Sequence, residues 1–196
     1  MSLLNSLLGT VVNDTISDQI ATTTGLSKEQ TQQAMKMLVP VLMGSLAKNA
    51  ESDTTQAASI NEALNKHDGS ILSNINISDL LASDDGKKII GHILGNKTAA
   101  VEQTVAKETN ASPSQIESLL KIAGPLLMGT LGKQKAEQGL DLEGLTSLLS
   151  NEKQAMKSDS TIQSMIFDFI DQNNDGSIID DVLNIAGKFF GNKDQK

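Results

Sequence analysis

Apolar residues recur at every third or fourth position in two long stretches of this chain, which is the spacing of one face of an α-helix. The predicted buried stripes are Thr31, Ala34, Met35, Leu38, Leu42, Ser45 and Leu46 in the first stretch, and Ile116, Leu119, Leu120, Ala123, Leu127, Thr130 and Leu131 in the second. Alternating strand patterns are scarce. The spacing therefore predicts an all-α, multihelical fold.

The two stretches match each other at a constant offset of 85 residues. Ile20 onward aligns with Val105 onward without a gap, and the run Pro40–Leu46 falls on Pro125–Leu131. A matched period of this length predicts two copies of one supersecondary unit. Since each copy has an apolar face to cover, we expect the two copies to pack together.

Helix-start signals occupy equivalent places in the two copies. Ser27 followed by Gln30, and Ser112 followed by Gln115, are typical capping boxes. Two positions before each box the chain has glycine in the first copy and asparagine in the second, and both suit a left-handed helix end. Each copy is therefore predicted to be a helix, a tight turn and a longer helix.

Each long helix contains a proline in the middle of its buried stripe, Pro40 in one and Pro125 in the other. Proline lacks the backbone donor and clashes with the preceding turn, so we expect both helices to kink or break there. Such a kink either marks a ligand cleft or lets a helix wrap around a core, and we favour wrapping. Small residues that follow, Gly44-Ser45 and Gly129-Thr130, are expected to let another helix approach closely.

The pattern divides the chain into three parts. Residues 1–150 are predicted to form a duplicated helical domain, with repeats at about 16–50 and 101–136. Residues 151–160 show no apolar period and are the best candidate for a linker. Residues 161–196 are predicted to form a C-terminal helix–loop–helix.

Composition narrows the classes of function. The chain has no cysteine, which excludes disulfides and thiolate metal sites. It also has no arginine and a formal net charge of −8, so nucleic acid is not expected as a partner. Leu3, Leu4, Leu7 and Leu8 are expected to form a short helix docked on the core, since no lysine precedes them and the run is too short to span a membrane. We expect a cytoplasmic protein.

The C-terminal part contains the one constellation with metal chemistry. Residues 171–178 match the first eight positions of an EF-hand calcium loop, which offers oxygen ligands from alternate residues around a glycine turn. The tentative calcium ligands are Asp171, Asn173, Asp175, Ser177 and Asp181. Position 12, normally a bidentate glutamate, is Val182, so any affinity should be weak, with a dissociation constant on the order of 10⁻⁴ to 10⁻³ M.

A turn without metal explains the same residues. Asp175-Gly176 is a turn signal, and the run from Ser177 to Asp180 is typical of a capped helix start. The similar run Asp68-Gly69-Ser70-Ile71 also precedes a helical stretch, but it lacks the extra oxygens. Calcium is therefore a possible cofactor and no other cofactor is indicated.

No catalytic set is apparent in the sequence. His67 and His92 are the only histidines, and neither has the spacing of a zinc site. We expect His92, in the run Ile89–Gly95, to be half-buried and hydrogen-bonded rather than a catalytic base. The sequence thus favours a protein that is not an enzyme. An enzyme with a site assembled from dispersed Asp, Glu, Lys and His92 is the least favoured alternative.

The doubled turn–helix with Pro-x-Leu-Met-Gly-x-Leu resembles the bacterial YidB-like family, a domain of unknown function. The run Gly86–Gly95 and the C-terminal Asp-Gly-Ser-Ile-Ile-Asp-Asp at 175–181 resemble it as well, and the resemblance covers roughly residues 20–190. It implies an all-helical protein and gives no catalytic residue.

Two functional hypotheses follow. The first is a non-enzymatic helical protein that acts through helix–helix contacts with a protein partner or with another copy of itself. The second is a weak calcium-binding regulatory module in which the ion orders residues 171–181.

Overall fold

A computed structural model describes residues 2–158 of the chain, apart from the side chain of Lys157. The α-helices are α1 (Leu3–Val11), α2 (Asp14–Thr24), α3 (Lys28–Ser52), α4 (Thr54–Lys66), α5 (Ile77–Ala82), α6 (Asp84–Leu94), α7 (Thr98–Thr109), α8 (Pro113–Gln138) and α9 (Leu142–Ser158). Short 3₁₀ helices span Ser70–Ser73 and Gly95–Lys97, and no strand occurs in this part of the chain. The predicted all-α, multihelical fold is confirmed.

Helices α3 and α8 form the centre of the fold. They pack against each other, and the flanking helices α1, α2, α4, α6 and α7 each contact both of them. The middle of each helix is buried on all sides, over Met37–Met43 in α3 and Ile122–Gly129 in α8. The core consists of aliphatic and methionine side chains, so it depends on close packing rather than on aromatic contacts.

The predicted helix caps are confirmed. Ser27 and Gln30 form one capping box, Ser112 and Gln115 form the other, and each serine accepts from the amide of its glutamine. The turn residues before the boxes have left-handed backbones, with φ of 70° at glycine 25 and 52° at Asn110. Asparagine tolerates this conformation better than other residues with a side chain, because its short amide can bond locally.

The same two glutamines also join the two halves of the fold. Gln30 Nε2 donates to the carbonyls of Thr109 (3.0 Å) and Asn110 (2.9 Å) at the end of α7. At an offset of 85 residues, Gln115 Nε2 donates to the carbonyls of residues 24 (3.3 Å) and 25 (2.9 Å) at the end of α2. Each glutamine therefore closes its own helix start and satisfies helix-end carbonyls of the other half. Descent of the halves from one duplicated unit stays a prediction.

The prolines do not break the long helices. α3 continues through Pro40 and α8 through Pro125, and both prolines are buried. Packing on every side outweighs the missing hydrogen bond. Pro125 deprives the Lys121 carbonyl of its helical donor, and Gly86 of α6 lies against that carbonyl so closely that a Cβ on it would be 2.3 Å from the oxygen.

Close approach at the small residues of α8 is confirmed for Gly129. A Cβ there would lie 2.5 Å from Ile71 Cγ2, so the neighbour is the 3₁₀ helix Ser70–Ser73. At Gly132 a Cβ would lie 1.6 Å from the carbonyl oxygen of His67 at the end of α4. Lys135 donates to Asn61 O (3.3 Å) and to Asn65 Oδ1 at the same end of α4. These contacts seat α4 on α8.

Residues 151–158, predicted as part of a linker, are the last two turns of α9. Leu145, Leu149, Glu152 and Met156 form one buried stripe along this helix. Glu152 Oε1 accepts from Leu3 N (2.9 Å) and Oε2 from Leu4 N (3.2 Å), so the carboxylate binds the start of α1. The sequence pattern predicts a short helix over residues 140–150 but missed these last two turns, because a glutamate occupies a core position there.

The short N-terminal helix is confirmed as α1, with Leu3, Leu4 and Leu7 buried. The predicted unit 161–196 and the end of the predicted linker lie outside the described residues. Between residues 2 and 158, none of the helices combines the length and the apolar character that crossing a bilayer requires.

We expect Gln30→Glu and Gln115→Glu each to lower the free energy of unfolding by about 1–3 kcal/mol. Glutamate preserves the capping-box acceptor but removes the amide donor and sets a carboxylate against two carbonyls. Urea unfolding followed by circular dichroism measures this, with Gln103→Glu on the exposed face of α7 as the matched control. Equal losses for all three variants would contradict the proposed role of the glutamine bonds.

Candidate functional site

The tentative calcium ligands Asp171, Asn173, Asp175, Ser177 and Asp181 lie outside the described residues. Between residues 2 and 158 no group of three or more histidine, cysteine, aspartate or glutamate side chains is placed to hold a metal ion. Calcium binding by the 171–181 loop therefore stays a prediction of the sequence.

The related run Asp68–Ile71 lies within the described residues and forms a turn. Asp68 Oδ1 accepts from Ser70 N (2.9 Å), Gly69 has φ of 90°, and a 3₁₀ helix begins at Ser70. The hydrogen bonds that Ser70 donates from its backbone amide and its hydroxyl hold the pKa of the Asp68 carboxyl below its usual value. In this run the Asp68 carboxylate and the left-handed Gly69 support the turn.

His92 is exposed, not half-buried as predicted. The buried stripe of α6 consists of Gly86, Ile89, Ile90, Ile93 and Leu94, and this periodicity sets residue 92 on the outer face. The apolar residues on either side of His92 in the sequence had suggested partial burial. The hydrogen bonds at this point belong to the backbone, since Asn49 Nδ2 donates to the carbonyls of residues 92 (3.4 Å) and 93 (3.0 Å).

His67 joins the end of α4 to the beginning of α6. Its Nε2 lies 3.8 Å from Asp85 Oδ2, and its side chain is 19% exposed. The C-terminal end of α4 therefore lies beside the N-terminal end of α6. The contact is long for a hydrogen bond, so we assign it a positioning role and no chemistry.

A groove lies between α4 and α6 and extends away from the His67–Asp85 contact. Residues between Gln56 and Ala63 line it on α4, and residues between Ile89 and Ile93 line it on α6. We call the end at Gln56 and His92 its outer end. Its volume is about 440 Å³. The lining residues are Leu46, Asn49, Gln56, Ser59, Ile60, Ala63, Ile89, Gly91, His92, Ile93 and Met128.

The α4–α6 groove is suited to binding apolar groups. Leu46 of α3 and Met128 of α8 are buried and lie between the two walls. The walls contain small residues, among them Ser59 and Ala63 on α4 and Gly91 on α6. Its lining includes no aspartate, glutamate or lysine, so it provides no acid–base pair next to His92. Its size falls in the range of ligand pockets.

A second cleft of about 360 Å³ lies between α6, α7 and α8 and is charged. Its lining includes Glu102, Glu117, Lys87 and Lys121, and Lys121 Nζ pairs with Glu117 Oε1 at 3.0 Å. Burial raises the pKa of the Glu102 carboxyl, and the Glu117 carboxylate raises it further, while Lys121 opposes both. Sequence reasoning missed the proximity of Glu102 and Glu117, because two glutamates 15 residues apart on different helices leave no spacing signal.

The equivalent residues of the other half are neutral. At the offset of 85, Glu102 corresponds to Ser17 and Glu117 to Gln32. Gln32 Nε2 donates to Ser17 Oγ (3.2 Å) and to Val12 O (3.0 Å), so these two side chains are hydrogen-bonded to each other. We expect two carboxylates in place of that bonded pair to reduce stability at neutral pH, because burial and the Glu117 carboxylate disfavour the ionised form of Glu102.

We expect Glu102→Gln to raise the midpoint of thermal unfolding at pH 7 by on the order of 2 °C. The folded pKa of Glu102 lies above its ordinary value of 4.5, so its contribution is most favourable below pH 4.5 and is lost as pH rises through the folded pKa. The gain from the variant should therefore shrink toward pH 4. Calorimetry from pH 4 to 7, with exposed Glu62→Gln as control, tests this; a pH-independent gain would contradict it.

Comparison with known families gives one match. The model of a family described as bacterial protein of unknown function, DUF937, matches residues 6–134, and this family also carries the name YidB-like. The matched range includes α2 to α7 and most of α8, while residues 175–181 lie outside it. Searches of curated proteins and of solved structures gave no significant match. The chain belongs to the DUF937 family of bacterial proteins of unknown function.

Proposed function

We propose that this protein is a non-enzymatic helical protein that acts by binding another polypeptide, either a different protein or a second copy of itself. The observation that supports this most is the α4–α6 groove, whose aliphatic lining suits the apolar side chains of a partner helix. The groove offers contact area and small wall residues, and its polar groups are neutral amides, a hydroxyl and one imidazole.

The use of polar side chains elsewhere supports the same proposal. Gln30 and Gln115 bind helix-end carbonyls, Glu152 binds the start of α1, Asn49 binds the end of α6, and Lys135 binds the end of α4. Each of these groups has a structural partner. These hydrogen bonds fix the helices in place, and side chains that are held in this way are poorly suited to transfer a proton to a substrate.

Light scattering and affinity capture test the proposal. Ser59 and Ala58 are adjacent exposed residues of α4, but only Ser59 lines the groove. We expect wild type to show a mass above the 20.8 kDa monomer at high concentration, or to retain a defined partner. Ser59→Leu should fill the groove and weaken the apparent binding affinity at least tenfold. Ala58→Leu should leave the affinity unchanged. Leucine favours helix, so neither change should unfold α4.

A strictly monomeric protein would overturn the proposal if it also retained no partner. An equal loss of binding in Ser59→Leu and Ala58→Leu would contradict the role of the α4–α6 groove. A binding activity that survives both variants would place the contact on another surface.

The second candidate function is weak calcium binding by the 171–181 loop. Its support is the sequence alone: oxygen-bearing residues at alternate positions, with Asp171, Asn173 and Asp175 before a glycine turn. The metal-free turn at Asp68–Ser73 is the alternative structure for this run, and it lacks the first two of these oxygens.

Calorimetric titration of the full chain with calcium tests this second function. We expect saturable heat with a dissociation constant on the order of 10⁻⁴ to 10⁻³ M, lost in Asp171→Ala. Asp68→Ala, in the turn that lacks those oxygens, is the matched control and should titrate as wild type does. Absence of heat at millimolar calcium, or an unchanged titration of Asp171→Ala, would exclude it.

A further inference from the structure

We propose that the partner segment bound by the α4–α6 groove is an amphipathic helix with a small aliphatic contact face and a lysine or arginine beside Asp53. This inference rests on the proposed function and specifies the chemistry of the partner. It follows from the shape of the groove and from the position of charge around it.

The shape of the groove favours a helix. The residues of α4 that line it, from Gln56 to Ala63, follow helical spacing and span about 10 Å, which is two turns. Ser59, Ala63 and Gly91 keep the walls low, and a Cβ at Gly91 would meet no atom within 4 Å. A third helix can therefore approach both walls closely and insert aliphatic side chains between them.

The charge near the α4–α6 groove indicates which residue type we expect next to the apolar face of the partner. Asp53 is exposed and caps α4, with its Oδ1 accepting from Thr55 N at 2.7 Å, so its carboxylate stands just before the first turn that contains Gln56. The lining itself carries no acidic residue and no lysine. A cation on the partner at the outer end would meet Asp53, and the net charge of −8 favours the approach of basic partners over acidic ones.

Two labelled peptides of about 14 residues provide the test. Both carry the same leucine and alanine face, and one has lysines at both ends where the other has glutamates. Fluorescence anisotropy with the full chain should show at least roughly threefold tighter binding of the lysine peptide, with the preference weakening as salt is raised. Asp53→Asn preserves the helix cap and removes the charge, so it should abolish most of that preference.

Ser59→Leu and Ala58→Leu locate the binding site. Loss of peptide binding in Ser59→Leu but not in Ala58→Leu, together with the lysine preference, supports the inference. Equal affinity for both peptides, still sensitive to Ser59→Leu, overturns the inference and leaves the proposed function intact. Absence of binding, or binding insensitive to Ser59→Leu, overturns the use of this groove and the inference with it.

Discussion

The structure depends on the packing of α3 against α8. The central turns of both helices are buried on all sides, so neither helix has a polar face that water stabilises at that point. Each includes a proline that weakens the isolated helix, and only surrounding helices make the continuous form favourable. All the other α-helices between residues 2 and 158 contact one or both of these helices, and the 3₁₀ helix Gly95–Lys97 packs on α6 and α7.

Polar side chains then fix the outer helices on this pair by binding helix ends. Gln30 and Gln115 hold the ends of α7 and α2, Glu152 holds the start of α1, and Lys135 and Asn49 hold the ends of α4 and α6. Helix ends carry unpaired backbone groups, so one side chain there both satisfies them and sets the position of a whole helix. An aliphatic core alone would specify these positions less sharply.

The α4–α6 groove is a consequence of this arrangement. α4 is anchored on α8 at its C-terminal end, where Gly132 and Lys135 contact it, and the His67–Asp85 contact joins this end to the start of α6. Their other ends are held separately, α6 by Asn49 and α4 by its chain connection to α3. The space between them is therefore set by the surrounding helices, so the partner helix that we propose would bind a preformed groove.

The sequence by itself determined the helical class, the two capping boxes and the left-handed turns, because these depend on local backbone chemistry and short spacings. It predicted a linker over residues that belong to α9, since a buried glutamate that binds a helix start has no apolar signature. The exposure of His92, the unbroken helices at Pro40 and Pro125, and the Glu102–Glu117 cleft were decided by tertiary structure. Each depends on which neighbour covers a face or balances a charge, and this is a property of helices distant in sequence.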